Sequence, residues 1–232
     1  MKSMNIHCII IARGRSKGIP KKNIIDFCGK PLIAWTILQT LNVKDVTNVW
    51  VSSDSEEILK IAKYYGANPI IRPEEISGDN EPSESAWAHA IDFIESQTES
   101  SIDYVLAPQV TSPIRHSTDF SEAIHQIIAD GADSLFSAAE VEDFFIWKKT
   151  RGRNPKSVNY NYKARKPRQQ IEKTYLENGS FFIFRPEVLI KNNNRLGGDI
   201  SLFIMDRYKM FQIDNMEDIE LCSIIMKGYG LD

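Results

Sequence analysis

Short runs of branched apolar residues alternate along this chain with amphipathic segments of ten to fourteen residues, and that rhythm constrains the fold more than any other feature. Ile6 to Ala12, "NVWVSS", "NPIIRP" and "IDYVLA" read as strands. Between them lie helical patterns. "PLIAWTILQTL" runs from Pro31 to Leu41, with Pro expected at the first helical position. After Asp54, Ile58, Ile61, Ala62 and Tyr65 share one helical face, with Asp54 and Glu57 spaced as an N-cap and its box and Gly66 as the stop. Ser83 to Ser96 and Ser117 to Ala129 follow the same rule. Strands buried on both faces and separated by helices predict an open, mostly parallel α/β sheet with helices on both faces. In such sheets ligands bind beyond the carboxyl ends of the strands.

Beyond Asp133 the rhythm changes. "SLFSAAEV", "SFFIF" and "MFQID" read as strands, and Met216 to Met226 as a closing helix. Between them, Lys148 to Lys173 holds ten Lys/Arg against one Glu, a local charge of +9 in a chain of net charge −3. Phe144, Phe145, Trp147, Tyr160 and Tyr162 are too many aromatics for a disordered tail. The 232 residues are therefore expected to form one domain, with residues 140–178 as an insertion protruding from the sheet.

The loop after the first strand, "ARGRSKGIPKKN", crowds Arg13, Arg15, Lys17, Lys21 and Lys22 together without an acid. Glycines with cations after a strand suit a polyphosphate, because backbone N–H groups approach closely and the side chains neutralise charge. Neither GxxxxGK[ST] nor GxGxxG is present. Spacing alone says anion site; the bland alternative is a solvated basic loop.

Other classes fall away. No apolar run is long enough to span a membrane. No small-residue cleavage site follows "MKSMNIHCIII", so no signal peptide is expected. Cys8, Cys28 and Cys222 make no disulfide framework and suit a reducing cytoplasm. The four histidines show no zinc-ligand spacing, and there is no GxSxG nucleophile motif. His116 reads as polar surface. An RNA-binding use of residues 148–173 is the sharper alternative to a basic face, but no RRM or KH signature accompanies it, and no nucleic acid partner is expected.

"ARGRSKGIPKKN", "GKPLIAWTI", "VSSDSEEI", "RPEEISGD", "PQVTSPIR", "KPRQQ", "ENGSFFIF" and "QIDNMEDIE" occur in one order over residues 5 to 226. Together they resemble the cytidylyltransferases that activate nine-carbon acidic sugars, the CMP-sialic acid synthetase family. That resemblance implies a nucleotide-diphospho-sugar transferase-like sheet with a protruding dimerisation segment. It implies a homodimer and a reaction of CTP with a 2-keto sugar acid, giving CMP-sugar and pyrophosphate with Mg²⁺. By resemblance Arg13, Lys17, Lys22, Asn23 and Ser83 bind CTP, with Arg13, Lys22 and Asp214 as the catalytic set and Lys21 assisting. Gln109, Arg168, Phe181 and Phe182 take the sugar, and Asp214 is the Mg²⁺ ligand. The family's Asp-x-Asp pair is here Gln212 and Asp214. Asp214 has a second reading as the N-cap of the last helix, boxed by Glu217. Asp54 reads as structural. The runner-up reactions are cytidylyl transfer to the eight-carbon acid Kdo, and nucleotide binding by a catalytically weak homologue.

Overall fold

The computed structural model describes residues 4–16, 18–142 and 144–232, and of Arg168 the backbone only. Lys17 and the Arg168 side chain thus lie outside the described residues.

The chain opens with β1 (Ile6–Ile11), the short hairpin β2 (Asp26–Phe27) and β3 (Lys30–Pro31), and α1 (Leu32–Leu41). It continues through β4 (Asn48–Ser53), α2 (Glu56–Tyr64), β5 (Asn68–Ile71), α3 (Ser83–Thr98), β6 (Tyr104–Pro108), α4 (Ser117–Asp130) and β7 (Ser134–Val141). The hairpin β8 (Trp147–Lys148) and β9 (Lys156–Ser157) precedes β10 (Thr174–Phe184), α5 (Pro186–Asn192), β11 (Ile200–Met205) and α6 (Met216–Gly228).

Seven strands form one sheet in the order β11-β7-β10-β6-β1-β4-β5. Every neighbouring pair is parallel except those made by β10, which runs antiparallel to both β6 and β7. The expected mostly parallel sheet is therefore present. Side chains of β1 alternate between two cores, as a strand's period of two requires. Cys8 and Ile10 face the larger cluster, with Leu32 of α1, Ile58 of α2, Phe120 of α4 and Met226 of α6. Ile9 faces the other, with Trp87 and Ile91 of α3 and Leu189 of α5. Full burial of each large apolar side chain contributes about 1.5–3 kcal/mol.

Several boundaries differ from the sequence reading. "MFQID" is not a strand. Arg207–Met210 form a 3-10 turn, and the N–H of buried Ile213 donates to the Thr111 carbonyl at 2.8 Å, which pulls the segment over the end of β6. The edge strand is instead "ISLFIM", β11, with Ile200 and Ile204 about half exposed. Pro31 precedes α1 rather than opening it, because it pairs with Asp26 in the hairpin. Ser55, not Asp54, caps α2. Asn215, boxed by Asp218, caps α6 in place of Asp214 and Glu217. The displaced Asp214 lines the cleft, and Asp54 accepts from the Gly14 N–H behind it.

The basic stretch carries its own cluster of partly exposed aromatic rings. Phe145 lies 4.2 Å and Trp147 5.8 Å from Tyr160, ring to ring, and the Arg165 guanidinium covers Phe145 at 4.2 Å. The first four residues of β10 continue its ladder with β7 but are exposed.

Candidate active site

Chain order builds β1, β4 and β5 outward on one side, then crosses to β6 on the other side of β1. The carboxyl ends of β1 and β6 therefore flank a switch point, where open α/β sheets form a crevice. A cleft of about 480 Å³ lies there. Arg13, Lys22, Asn23, Ser83, Gln109 and Asp214 all line it. One side of it is the loop after β1, and Pro108 to Thr111 at the end of β6 form the other.

Glycine makes the loop possible by close approach. A Cβ at Gly18 would stand 2.6 Å from the Asp214 carbonyl oxygen, and one at Gly14 would stand 2.9 Å from the Ser55 Cβ. The Gly14 N–H donates to Asp54 Oδ1 at 2.9 Å. Asn23 donates through Nδ2 to the Arg13 carbonyl at 2.9 Å, closing the loop on itself. Asn23 is thus a buried strut as well as a lining residue.

Lys22 Nζ meets Asp214 Oδ1 at 3.0 Å and the Ile213 carbonyl at 3.0 Å. The Lys22 side chain is 15% exposed while that of Asp214 is 71% exposed. The lysine is held from behind and its acid faces solvent. Arg13 reaches across the mouth to Asp79 Oδ1 at 3.1 Å and the Gly78 carbonyl at 3.3 Å. Lys21 does not join them. Its left-handed backbone turns it outward to Glu57, 2.6 Å away on α2.

Two arginines of the cleft escaped sequence reasoning. Arg72, just past β5, is buried and donates to the Ala12 carbonyl at 3.3 Å and Ser77 Oγ at 3.0 Å, with Asp54 at 3.6 Å. Burial pushes its pKa down, and Asp54 opposes that shift. Its place in "RPEEISGD" was visible, but nothing in the spacing marks it as facing the cleft. Arg195, in the loop between α5 and β11, also lines the cleft, against Glu84 and Trp87 of α3.

A second buried arginine supports Gln109. Arg115 is 1% exposed and donates to the Gln109 carbonyl at 3.1 Å, the Ser180 carbonyl at 2.9 Å, Gln39 Oε1 at 2.9 Å and Thr36 Oγ1 at 2.7 Å. Burial lowers its pKa to about 9, which leaves it cationic at neutral pH. It ties α1, β10 and the β6 loop together. Exposed His116 borders α4, as polar surface does.

Phe181 and Phe182 do not line the cleft. They are 0% and 1% exposed. Phe181 packs edge-on against Phe120 at 5.0 Å, and Phe182 belongs to the core beneath α3. Consecutive residues of a central strand point to opposite covered faces, so neither can face solvent. Gln212 is also committed elsewhere. Its Nε2 donates to the Asn178 carbonyl at 2.6 Å, at the bulge of β10, and it stands where a Cβ on Gly179 would be. Among the described residues no group of three His, Cys, Asp or Glu side chains gathers around a metal-sized point. Asp214, solvent-facing at the mouth, matches the hard oxygen donor that Mg²⁺ takes when phosphates and waters supply the rest.

A doubly covered, mostly parallel sheet with a cationic cleft at its switch point is the arrangement of nucleotide-diphospho-sugar transferase-like folds. A solved structure of CMP:2-keto-3-deoxy-manno-octonic acid synthetase complexed with CTP superposes with TM-score 0.71 at 16% identity, covering 97% of this chain and 99% of that one. A 4-diphosphocytidyl-2C-methyl-D-erythritol synthase gives 0.70 at 11% identity, covering 97% and 100%. These likenesses establish the fold. The sequence profile of the cytidylyltransferase family matches residues 7–221. The pseudaminic acid cytidylyltransferase of Campylobacter jejuni subsp. jejuni serotype O:23/36 (strain 81-176) is 34% identical over 222 residues, 95% of each chain. N-acylneuraminate cytidylyltransferase A of Danio rerio is 35% identical over 218 residues, 92% of this chain and 49% of that one. The chain belongs to the cytidylyltransferase family and is a nucleotidyltransferase.

Proposed function

We propose that this enzyme transfers the cytidylyl group of CTP to a nine-carbon 2-keto sugar acid, an N-acylneuraminate or related nonulosonate, releasing pyrophosphate. One observation carries the reading: Arg13, Lys22, Asn23, Gln109 and Asp214, drawn from three distant parts of the chain, share one cleft. The relatives named for pseudaminic and N-acylneuraminic acids support this acceptor class.

In this reading CTP lies with its triphosphate against Arg13 and Lys22 and its nucleoside toward Ser83. The acceptor's anomeric hydroxyl oxygen attacks the α-phosphorus. A new O–P bond forms, the bond from the α-phosphorus to the bridging oxygen of pyrophosphate breaks, and the hydroxyl proton passes to water. Negative charge grows on the departing oxygens, and prearranged cations stabilise it where it appears. Asp214 would hold Mg²⁺, which supplies further charge neutralisation on the phosphates. Lys22 orients that carboxylate through the 3.0 Å contact. Gln109, pinned by Arg115, presents its side chain to the sugar. Lys17 and Arg168 belong to the same proposal as further cations for the phosphates and the sugar carboxylate.

The enzyme is further proposed to act in the cytoplasm as a homodimer joined through the insertion. Ile146, Trp147, Val158 and Tyr162 expose apolar surface there, which supports such a contact. No helix among the described residues is long and apolar enough to cross a membrane.

The test incubates the protein with CTP, Mg²⁺ and a panel of sugar acids, including N-acetylneuraminate, its deaminated form, legionaminate, pseudaminate and Kdo. A CMP-sugar detected by mass from a nine-carbon acid is the expected result. Turnover of Kdo alone, or CTP binding with no product from any acid, would overturn it.

A further inference from the structure

Arg195 stands apart from the other cations of the cleft. It comes from the loop between α5 and β11, far in sequence from the phosphate-binding loop. Its guanidinium lies 4.5 Å above the Phe182 ring and 5.2 Å from the Trp87 ring, and Nη1 meets Glu84 Oε1 at 3.5 Å. Its side chain is 26% exposed and lines the cavity. Ring faces and a carboxylate hold a guanidinium in one orientation while leaving edge N–H groups for a ligand.

The strand order says which ligand. Across the carboxyl edge of the sheet, Arg72 follows β5, Arg13 follows β1, Gln109 follows β6, and Arg195 covers Phe182 of β10. Arg13 and Lys22 hold the middle. Arg72, on one flank, already donates to Ala12 and Ser77. Arg195 is on the other flank, one strand beyond Gln109. A nucleotide whose phosphates occupy the middle and whose base extends toward Arg72 leaves the Gln109 flank for the acceptor.

We propose that Arg195 is a substrate-binding residue for the acceptor, donating hydrogen bonds to an oxygen of the sugar acid. The claim rests on the functional reading above. Two oxygens share the required chemistry: the acid's carboxylate and the carbonyl of an acylamido substituent. Both accept from a guanidinium edge.

The test is Arg195→Met, which keeps an apolar stem over Trp87 and Phe182 but removes the donors, with Arg195→Lys as a second variant should the first fold poorly. Steady-state kinetics are run against CTP and the acceptor separately, and CTP affinity is measured by calorimetry without acceptor. The expected result is a rise of about 10- to 100-fold in the acceptor KM, with CTP affinity and KM within about twofold of wild type. A loss equal for an N-acylated acid and its deaminated analogue assigns the contact to the carboxylate. A loss confined to the N-acylated acid assigns it to the acyl carbonyl. Weakened CTP binding with an unchanged acceptor KM would overturn the proposal, as would no change in either. Wild type inactive on every sugar acid would bring down the functional reading itself. Active wild type with an indifferent Arg195→Met variant would remove only this inference.

Discussion

Lys22 and Asp214, 192 positions apart in the chain, meet at 3.0 Å across the mouth of the cleft. Ile213 and Asp214 both accept from the same ammonium, so the loop after β1 and the segment before α6 are one unit at the site. Gly18 lets their backbones touch.

Removing either member should have a distinct signature. Lys22→Ala should lower kcat by about 10²- to 10³-fold, the usual consequence of deleting one preorganised charge at a transition state. Asp214→Ala should instead shift the Mg²⁺ concentration needed for half-maximal rate upward, in addition to lowering kcat. A Mg²⁺ titration of pyrophosphate release separates the two. An unchanged Mg²⁺ requirement in Asp214→Ala would remove the aspartate from the metal site.

Gly18→Ala tests the backbone contact. The added methyl meets the Asp214 carbonyl oxygen at 2.6 Å, and backbone cannot rotate away as a side chain can. A stability loss of about 1–3 kcal/mol is expected from the overpacking. Activity should drop about tenfold or more, since small displacements of positioned groups are costly. Thermal unfolding and kcat report both; wild-type behaviour in each would mean the loop accommodates the methyl.

Arg115→Met should destabilise the fold by about 3 kcal/mol or more, because it strands buried acceptors on Gln39, Gln109 and Ser180. Arg115→Lys should rescue little, since one ammonium cannot span acceptors on three elements. Urea unfolding measures the loss. The acceptor KM should rise with it, as the Gln109 loop loosens.

His7 predicts an acid sensitivity far from the cleft. Trp50 Nε1–H donates to His7 Nδ1 at 2.9 Å, and a tryptophan can only donate. The imidazole proton therefore sits on Nε2, facing Asn5 Oδ1 at 3.0 Å. Burial lowers the pKa from 6.5. The unfolded chain then binds more protons than the folded one as pH falls below about 6.5, so stability is full above that pH and declines below it. The slope from one proton is at most about 1.4 kcal/mol per pH unit. His7→Gln should flatten the dependence of the urea midpoint between pH 6.5 and 5. An unaltered slope would assign the acid sensitivity to other groups.

Much of the sheet was legible because its strands and helices carry local periodicities, as in Ile58, Ile61 and Ala62 of α2. The site was legible where glycines and cations cluster within a dozen residues, as in Arg13 to Asn23. Arg195 was not, because a lone arginine in a polar loop leaves no local trace of the aromatic rings that hold it. Phe181 and Phe182 were misplaced for the converse reason: a run of aromatics states that a strand is apolar, not how deeply β6 and β7 enclose it. β11 and "MFQID" carry the same local signal. Both segments suit an extended chain, and only a free edge beside β7 selects one of them.

The alternation of strands and helices and the cationic loop with its glycines are local properties of the chain, since they depend on residues within one or two turns of each other. Long-range packing brings Lys22 to Asp214, holds Asp54 on Gly14 and Arg72 rather than at a helix end, and locks Gln212 onto the β10 bulge. Each of those choices is a competition between a local partner and a distant one, and it is settled by which groups the packed sheet brings within hydrogen-bonding reach.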